Sequence, residues 1–150
     1  MTQTLILMRS FNCNRHTLNK LEVDQVVSVA QQMTQAGIKP SLILHSSNAG
    51  DSQAASTLAK WNDAKAEQNS NLNSHSFRIV ETLEKSKNVG TILMVGAEAD
   101  VESAMSCLVN YPVRIHTNRA LAFVMENAKN PSSQRNWRVA KEFCFLPAVR

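Results

Sequence analysis

The chain has 150 residues, enough for one compact domain with a core of its own. Apolar residues make up 43% and charged residues 19%, a balance that excludes an intrinsically disordered chain. The formal net charge is +4, yet the basic residues are scattered and aromatics reach only 5%, which argues against a base-stacking nucleic-acid platform.

The opening run TLILM at 4–8 is short and continuously apolar, as a strand buried on both faces requires. The first helix begins after Asn19. Asn19 and Glu22 stand at capping-box spacing, and Val23, Val26, Val27, Ala30 and Met33 follow as one apolar stripe. Gly37 is placed to close this helix in the left-handed conformation, and Pro40 prevents its resumption. Leu42, Ile43 and Leu44 predict a second strand. A second helix is expected from about Ala49 to Ala66, with Ala54, Leu58 and Trp61 on its inner side. The polar stretch AEQNSNLNSHS that follows reads as a surface loop.

A short third helix carries Val80 and Leu83, and Thr91 to Val95 form the next apolar strand. A fourth helix is expected after Asp100, with Val101, Ala104, Met105 and Leu108 facing inward. From Leu121 to Met125 and from Trp137 to Phe145 the period changes to alternation. This predicts a closing β-hairpin with Trp137, Val139, Phe143 and Phe145 on one side.

Strand alternating with helix predicts an α/β fold, a three-layer α/β/α sandwich with a mostly parallel sheet and a C-terminal β-hairpin, in a single domain over 1–150. Ligands of such sheets bind beyond the carboxyl ends of the strands. Those ends are Met8–Asn12, His45–Asn48 and Gly96–Asp100, and a site should be assembled from these loops.

The apolar runs at 5–8 and 92–95 are too short to span a bilayer, and no secretory signal opens the chain, so a cytoplasmic address without membrane association is expected. Cys13, Cys107 and Cys144 form no CxxC or Cys/His pattern, which points to neither a zinc site nor a disulfide framework. His75 and His116 lack acidic or cysteine partners at metal-ligand spacing, and no metal or cofactor is expected.

The same three loops carry a family pattern. The opening strand ends in Arg9-Ser10-Phe11, where that pattern has Arg-His-Gly. Leu18 to Gln25 stands where it has Leu-Thr-x-x-Gly-x-x-Gln. LILHSSNAGDSQAA keeps Gln53 and Ala55 of the next segment and puts Gly50 at an arginine position. Val95-Gly96-Ala97-Glu98-Ala99-Asp100 stands in for Val-Gly-His-x-Pro-x. Over roughly residues 4–126 the chain therefore resembles the phosphoglycerate-mutase-like histidine phosphatases, in particular the short SixA type of protein-phosphohistidine phosphatase.

The resemblance implies a phosphoryl-accepting histidine, a second histidine and two arginines around the phosphate. Here Arg9 alone remains, as an anion-binding remnant or as a partner of Glu98 or Asp100. Ser10 replaces the nucleophile, and a hydroxyl is a poor nucleophile without an adjacent base. Gly50 and Ala97 offer no hydrogen-bond donor from their side chains. At about 1.5–3 kcal/mol per charge-assisted hydrogen bond, two or three losses weaken phosphate holding by roughly 3–9 kcal/mol if they add. Phe11 places a ring where the pattern has glycine.

The expected function is a catalytically impaired or inactive phosphohistidine-phosphatase-like protein with a binding or regulatory role, its partner a phosphate-bearing protein or a small anion rather than nucleic acid. The alternative is a phosphohydrolase with a rewired site, using His45 or the displaced His16, with Ser10, Ser46 and Glu98 close to His45.

Overall fold

In the computed structural model, residues 3–9, 18–73, 75–109, 112–115, 121–127 and 137–144 are described. Ser10, Phe11 and His16 lie outside them. The elements in chain order are β1 (Gln3–Arg9), α1 (Lys20–Gln35), β2 (Leu42–His45), α2 (Ala49–Asn62), β3 (Lys65–Gln68), α3 (Ile79–Lys85), β4 (Thr91–Gly96), α4 (Glu98–Val109), β5 (Leu121–Asn127) and β6 (Trp137–Cys144). Two 3-10 turns, Ser70–Asn73 and His75–Arg78, precede α3.

The sheet runs β3-β2-β4-β1-β5-β6. Its first four strands are parallel, and β5 and β6 close it in antiparallel pairing. Alternation along the central strands divides the core into two clusters. Ile6, Met8, Leu93 and Val95 pack with Val26, Ala30 and Met33 of α1 and with Ala54 and Leu58 of α2. Leu5, Leu7, Ile92 and Met94 pack with Leu83 of α3 and with Val101, Met105 and Leu108 of α4. One sheet thus lies between two helical layers.

Local signals explain most boundaries. Asn19 Oδ1 accepts from Glu22 N at 2.8 Å and Glu22 Oε1 accepts from Asn19 N at 3.0 Å, the reciprocal capping box. Gly37 ends α1 at φ +76. The buried stripe is Val26, Val29, Ala30 and Met33, so Val29 rather than Val27 completes it.

Four expectations are corrected. α2 ends at Asn62, four residues early, because Asp63 turns left-handed at φ 52 and its N–H caps Ala59 O. Trp61 is 43% exposed, and its Nε1–H donates to Thr34 Oγ1 at 3.1 Å, so it lies across the outer surface. The stretch read as a loop begins inside β3 (Lys65–Gln68), a polar edge strand paired to β2. α4 starts at Glu98, not after Asp100.

The hairpin also departs from simple alternation. Val124 opposes Lys141 while Met125 opposes Val139, leaving Ala140 as the extra residue of a β-bulge. The bulge flips the facing of everything after it. Trp137 joins the α3/α4 cluster, Phe143 packs on the α1/α2 side, and Val139 is 37% exposed.

Candidate functional site

The carboxyl ends of β1, β2 and β4 meet side by side, since Arg9 is register partner of Gly96 and His45 of Val95. Strand alternation sends their side chains in different directions. Arg9 shares the face of Leu5 and Leu7, toward α4, whereas His45 shares the face of Ile43, toward α1 and α2.

Arg9 is 4% exposed, and its Nη2 lies 3.8 Å from Glu98 Oε2 in the first turn of α4. Burial pulls the guanidinium below its ordinary value, while Glu98 and Glu102 pull it back up. Glu102 stands one turn beyond Glu98, where i,i+4 spacing puts both on one helix face. Glu102 also accepts a hydrogen bond from Ile115 N. The cation thus faces α4 at ion-pair distance from Glu98, with the charge of Glu102 further along the same helix face.

His45 is 8% exposed, and its Nδ1–H donates to the Ser46 carbonyl at 2.7 Å. A carbonyl only accepts, so this contact places a proton on Nδ1, and in the neutral ring the lone pair is then on Nε2. Ser46 Oγ donates to Asp51 Oδ2 at 2.9 Å and accepts from Asn48 N at 3.1 Å. The serine proton is therefore directed at α2, and Glu98 is engaged with Arg9 on the other face. The described residues do not link Ser46, His45 and Glu98 in one relay. Ser10 and His16, the other members considered, lie outside the described residues.

Gly50 is buried in the first turn of α2, its N–H donating to the Asn48 cap at 2.9 Å. Ala97 lines a cavity of about 540 Å³ beyond the strand ends. Its other walls are the Ser46–Ala49 loop, Asp51 and Asp100, and Leu72 with Asn73. Asn73 Oδ1 accepts from Ser47 N at 2.8 Å, tying the 3-10 turn to the β2 loop. Among the described residues that line it, none is basic. No three His, Cys, Asp or Glu side chains among the described residues converge as metal ligands.

Two residues of the family pattern meet each other. Leu18 N donates to Gln53 Oε1 at 2.5 Å, and Gln53 Nε2 donates to Leu18 O at 3.5 Å, so the entrance to α1 is pinned to α2. Gly96 has an equally concrete role. A Cβ there would stand 2.0 Å from Phe77 Cζ, so the ring occupies the space that a side chain would need.

The sequence offered no signal for Phe77, whose φ of 59 and long-range contact are invisible to periodicity. Glu102 could have been found from its i,i+4 relation to Glu98.

Solved structures decide what architecture this is. A SixA protein from Agrobacterium tumefaciens, provisionally assigned as a phosphohistidine phosphatase, superposes with a TM-score of 0.75 at 15% identity, covering 94% of this chain and 97% of that one. The fold is that of the SixA phosphohistidine phosphatases. A SixA protein from Nakamurella multipartitia with the same provisional assignment gives a TM-score of 0.77 at 13% identity, covering 95% of each chain. The protein histidine phosphatase SixA complexed with tungstate gives 0.75 at 12% identity, covering 95% of this chain and 97% of that one.

No family model and no curated protein matches the sequence. Among the described residues no helix is long and apolar enough to cross a membrane. In this chain Arg9 ends β1, Ala97 follows β4, and Gly50 lies in the first turn of α2, with Arg9 Nη2 at ion-pair distance from Glu98.

Proposed function

We propose that this chain is a phosphohistidine-phosphatase-like protein that no longer turns over phosphate and acts by binding or regulation. The observation that carries the reading is the fate of Arg9. This last cation of the family pattern is buried and lies 3.8 Å from Glu98, while the cavity wall at Ala97 presents a methyl group. A phosphoryl group needs fixed positive charge and a nucleophile. Ser10, Gly50 and Ala97 bring neither an imidazole nor a guanidinium. The partner carried over from the family resemblance is a phosphate-bearing protein or a small anion, but the described lining of the strand-end cavity, with Asp51 and Asp100 and no basic residue, gives such a group no cation there.

A rewired hydrolase using His45 is the second reading, favoured by one feature, the Nε2 lone pair left by the Nδ1–H contact with Ser46. Burial of that ring opposes it.

Purified protein is expected to release no phosphate from a phosphohistidine peptide or p-nitrophenyl phosphate above the background of heat-treated protein. Turnover that disappears in Ser10→Ala would overturn the inactive-site reading. Turnover lost in His45→Ala or His16→Ala and retained in Ser10→Ala would establish the rewired site instead.

A further inference from the structure

At the opposite end of the sheet, Thr91 of β4, Thr4 of β1 and Glu126 of β5 form a register row across three strands. Alternation puts all three on the face of Ile6, Leu93 and Val124, the face covered by α1 and α2. α1 stops short of this row. Its last carbonyls are occupied by its own cap, Gly37 N donating to Thr34 O at 3.0 Å and Ile38 N to Met33 O at 2.9 Å. The uncovered strip is a cavity of about 340 Å³. That volume is at the small end of ligand pockets.

The edge strand supplies another wall in a way a regular strand could not. Consecutive strand residues face opposite sides of a sheet, yet Ala140 and Lys141 both line the cavity. The β-bulge at Ala140 is the cause, since it turns two successive side chains to the α1 side. Lys39, from the loop that caps α1, joins Lys141 in the lining. Ile38, Val124 and Ala140 add apolar surface, and Thr4 and Thr91 add hydroxyls.

Charge in this cavity favours an anion. Among the described lining residues the one carboxylate, Glu126, is held by Arg138 at 3.2 Å. Among the described residues, no ion pair engages Lys39 or Lys141, and no side-chain hydrogen bond engages Thr4 or Thr91.

We propose that this cavity binds a small organic anion, a carboxylate or phosphate monoester with a short apolar body. The anionic head is taken by Lys39 and Lys141 and accepts from the threonine hydroxyls, and the body lies on Ile38, Val124 and Ala140. The site is separate from the strand-end cavity and does not depend on how that one functions.

The test is an amide-resolved NMR titration of the full chain with phenyl phosphate, benzoate and neutral benzyl alcohol at millimolar concentration. Saturable shifts are expected at Gly37–Lys39, Thr91 and Lys141 with at least one anion, and the stronger of the two identifies the head group. The alcohol is expected to give none. Lys39→Ala combined with Lys141→Ala should weaken binding by about tenfold or more, whereas Lys85→Ala on α3 should leave it unchanged. Both cavity lysines are exposed, so the double variant retains its fold, which its melting curve checks. Shifts confined to Arg9, Asp51 and Ala97, equal binding of the alcohol, no saturable shift with either anion, or affinity indifferent to the double variant would each overturn the proposal.

Discussion

An alanine at position 96 would put its Cβ 2.0 Å from Phe77 Cζ and 2.5 Å from Cε1. Carbon atoms in contact sit about 3.5–4.0 Å apart, so the ring or the strand must yield by about 1.5 Å. Phe77 is fully buried, and the φ values of 59 and 41 at Phe77 and Arg78 already commit that turn to left-handed backbone. Overpacking a filled core costs about 1–3 kcal/mol, and an overlap this deep belongs near the upper figure. Replacing a strand glycine returns about 0.5–1 kcal/mol. The net expectation is about 2 kcal/mol lost, or about 4–8 °C in Tm for a chain of this size.

Urea denaturation of Gly96→Ala, Phe77→Ala and the double variant measures it. Phe77→Ala alone should be strongly destabilising, and adding Gly96→Ala to it should cost nothing further, a coupling of about 2 kcal/mol. A Gly96→Ala protein as stable as the parent, or strictly additive losses, would refute the reasoning.

Three more outcomes follow from named contacts. Asn19→Ala removes one arm of the capping box and should cost about 1 kcal/mol, read as a Tm lowered by about 2–4 °C. Gln53→Ala leaves the Leu18 amide without its acceptor, and should cost about 1–3 kcal/mol while raising hydrogen exchange at Leu18. Ser10→His alone should produce no phosphohistidine hydrolysis, because Gly50 and Ala97 still supply no side-chain donors and Arg9 remains with Glu98; phosphate release in the peptide assay would contradict this.

Much of the architecture was legible because several levels of signal coincided. The continuous apolar runs of β1, β2 and β4 marked central strands. Asn19, Glu22 and Gly37 bounded α1 by chemistry that acts within one helical turn. What stayed hidden depended on partners distant in sequence. β3 is polar because it is an edge strand, and only its pairing with β2 makes it a strand at all. Position 63 is an aspartate in a conformation more often taken by glycine, so the end of α2 left no visible mark. The bulge at Ala140 adds one residue to an otherwise regular alternation, and this alone separates Trp137 from Phe143.

The candidate site followed the same division. Its expected location beyond three strand ends came from pattern and topology. The opposite facing of Arg9 and His45, the ion pair of Glu98 with the guanidinium, and the Ser46–Asp51 hydrogen bond required three-dimensional placement. Arg9 shows how much that placement matters. On the strand alone it reads equally as an anion ligand or as a structural cation, and its burial beside α4 favours the second.

Intact-mass spectrometry of the native protein during incubation with phosphoramidate or a phosphohistidine peptide puts the inert-site account most directly at risk. The polypeptide is expected to keep its unmodified mass throughout. A phosphoryl adduct that forms on any side chain and is discharged as phosphate appears would contradict it.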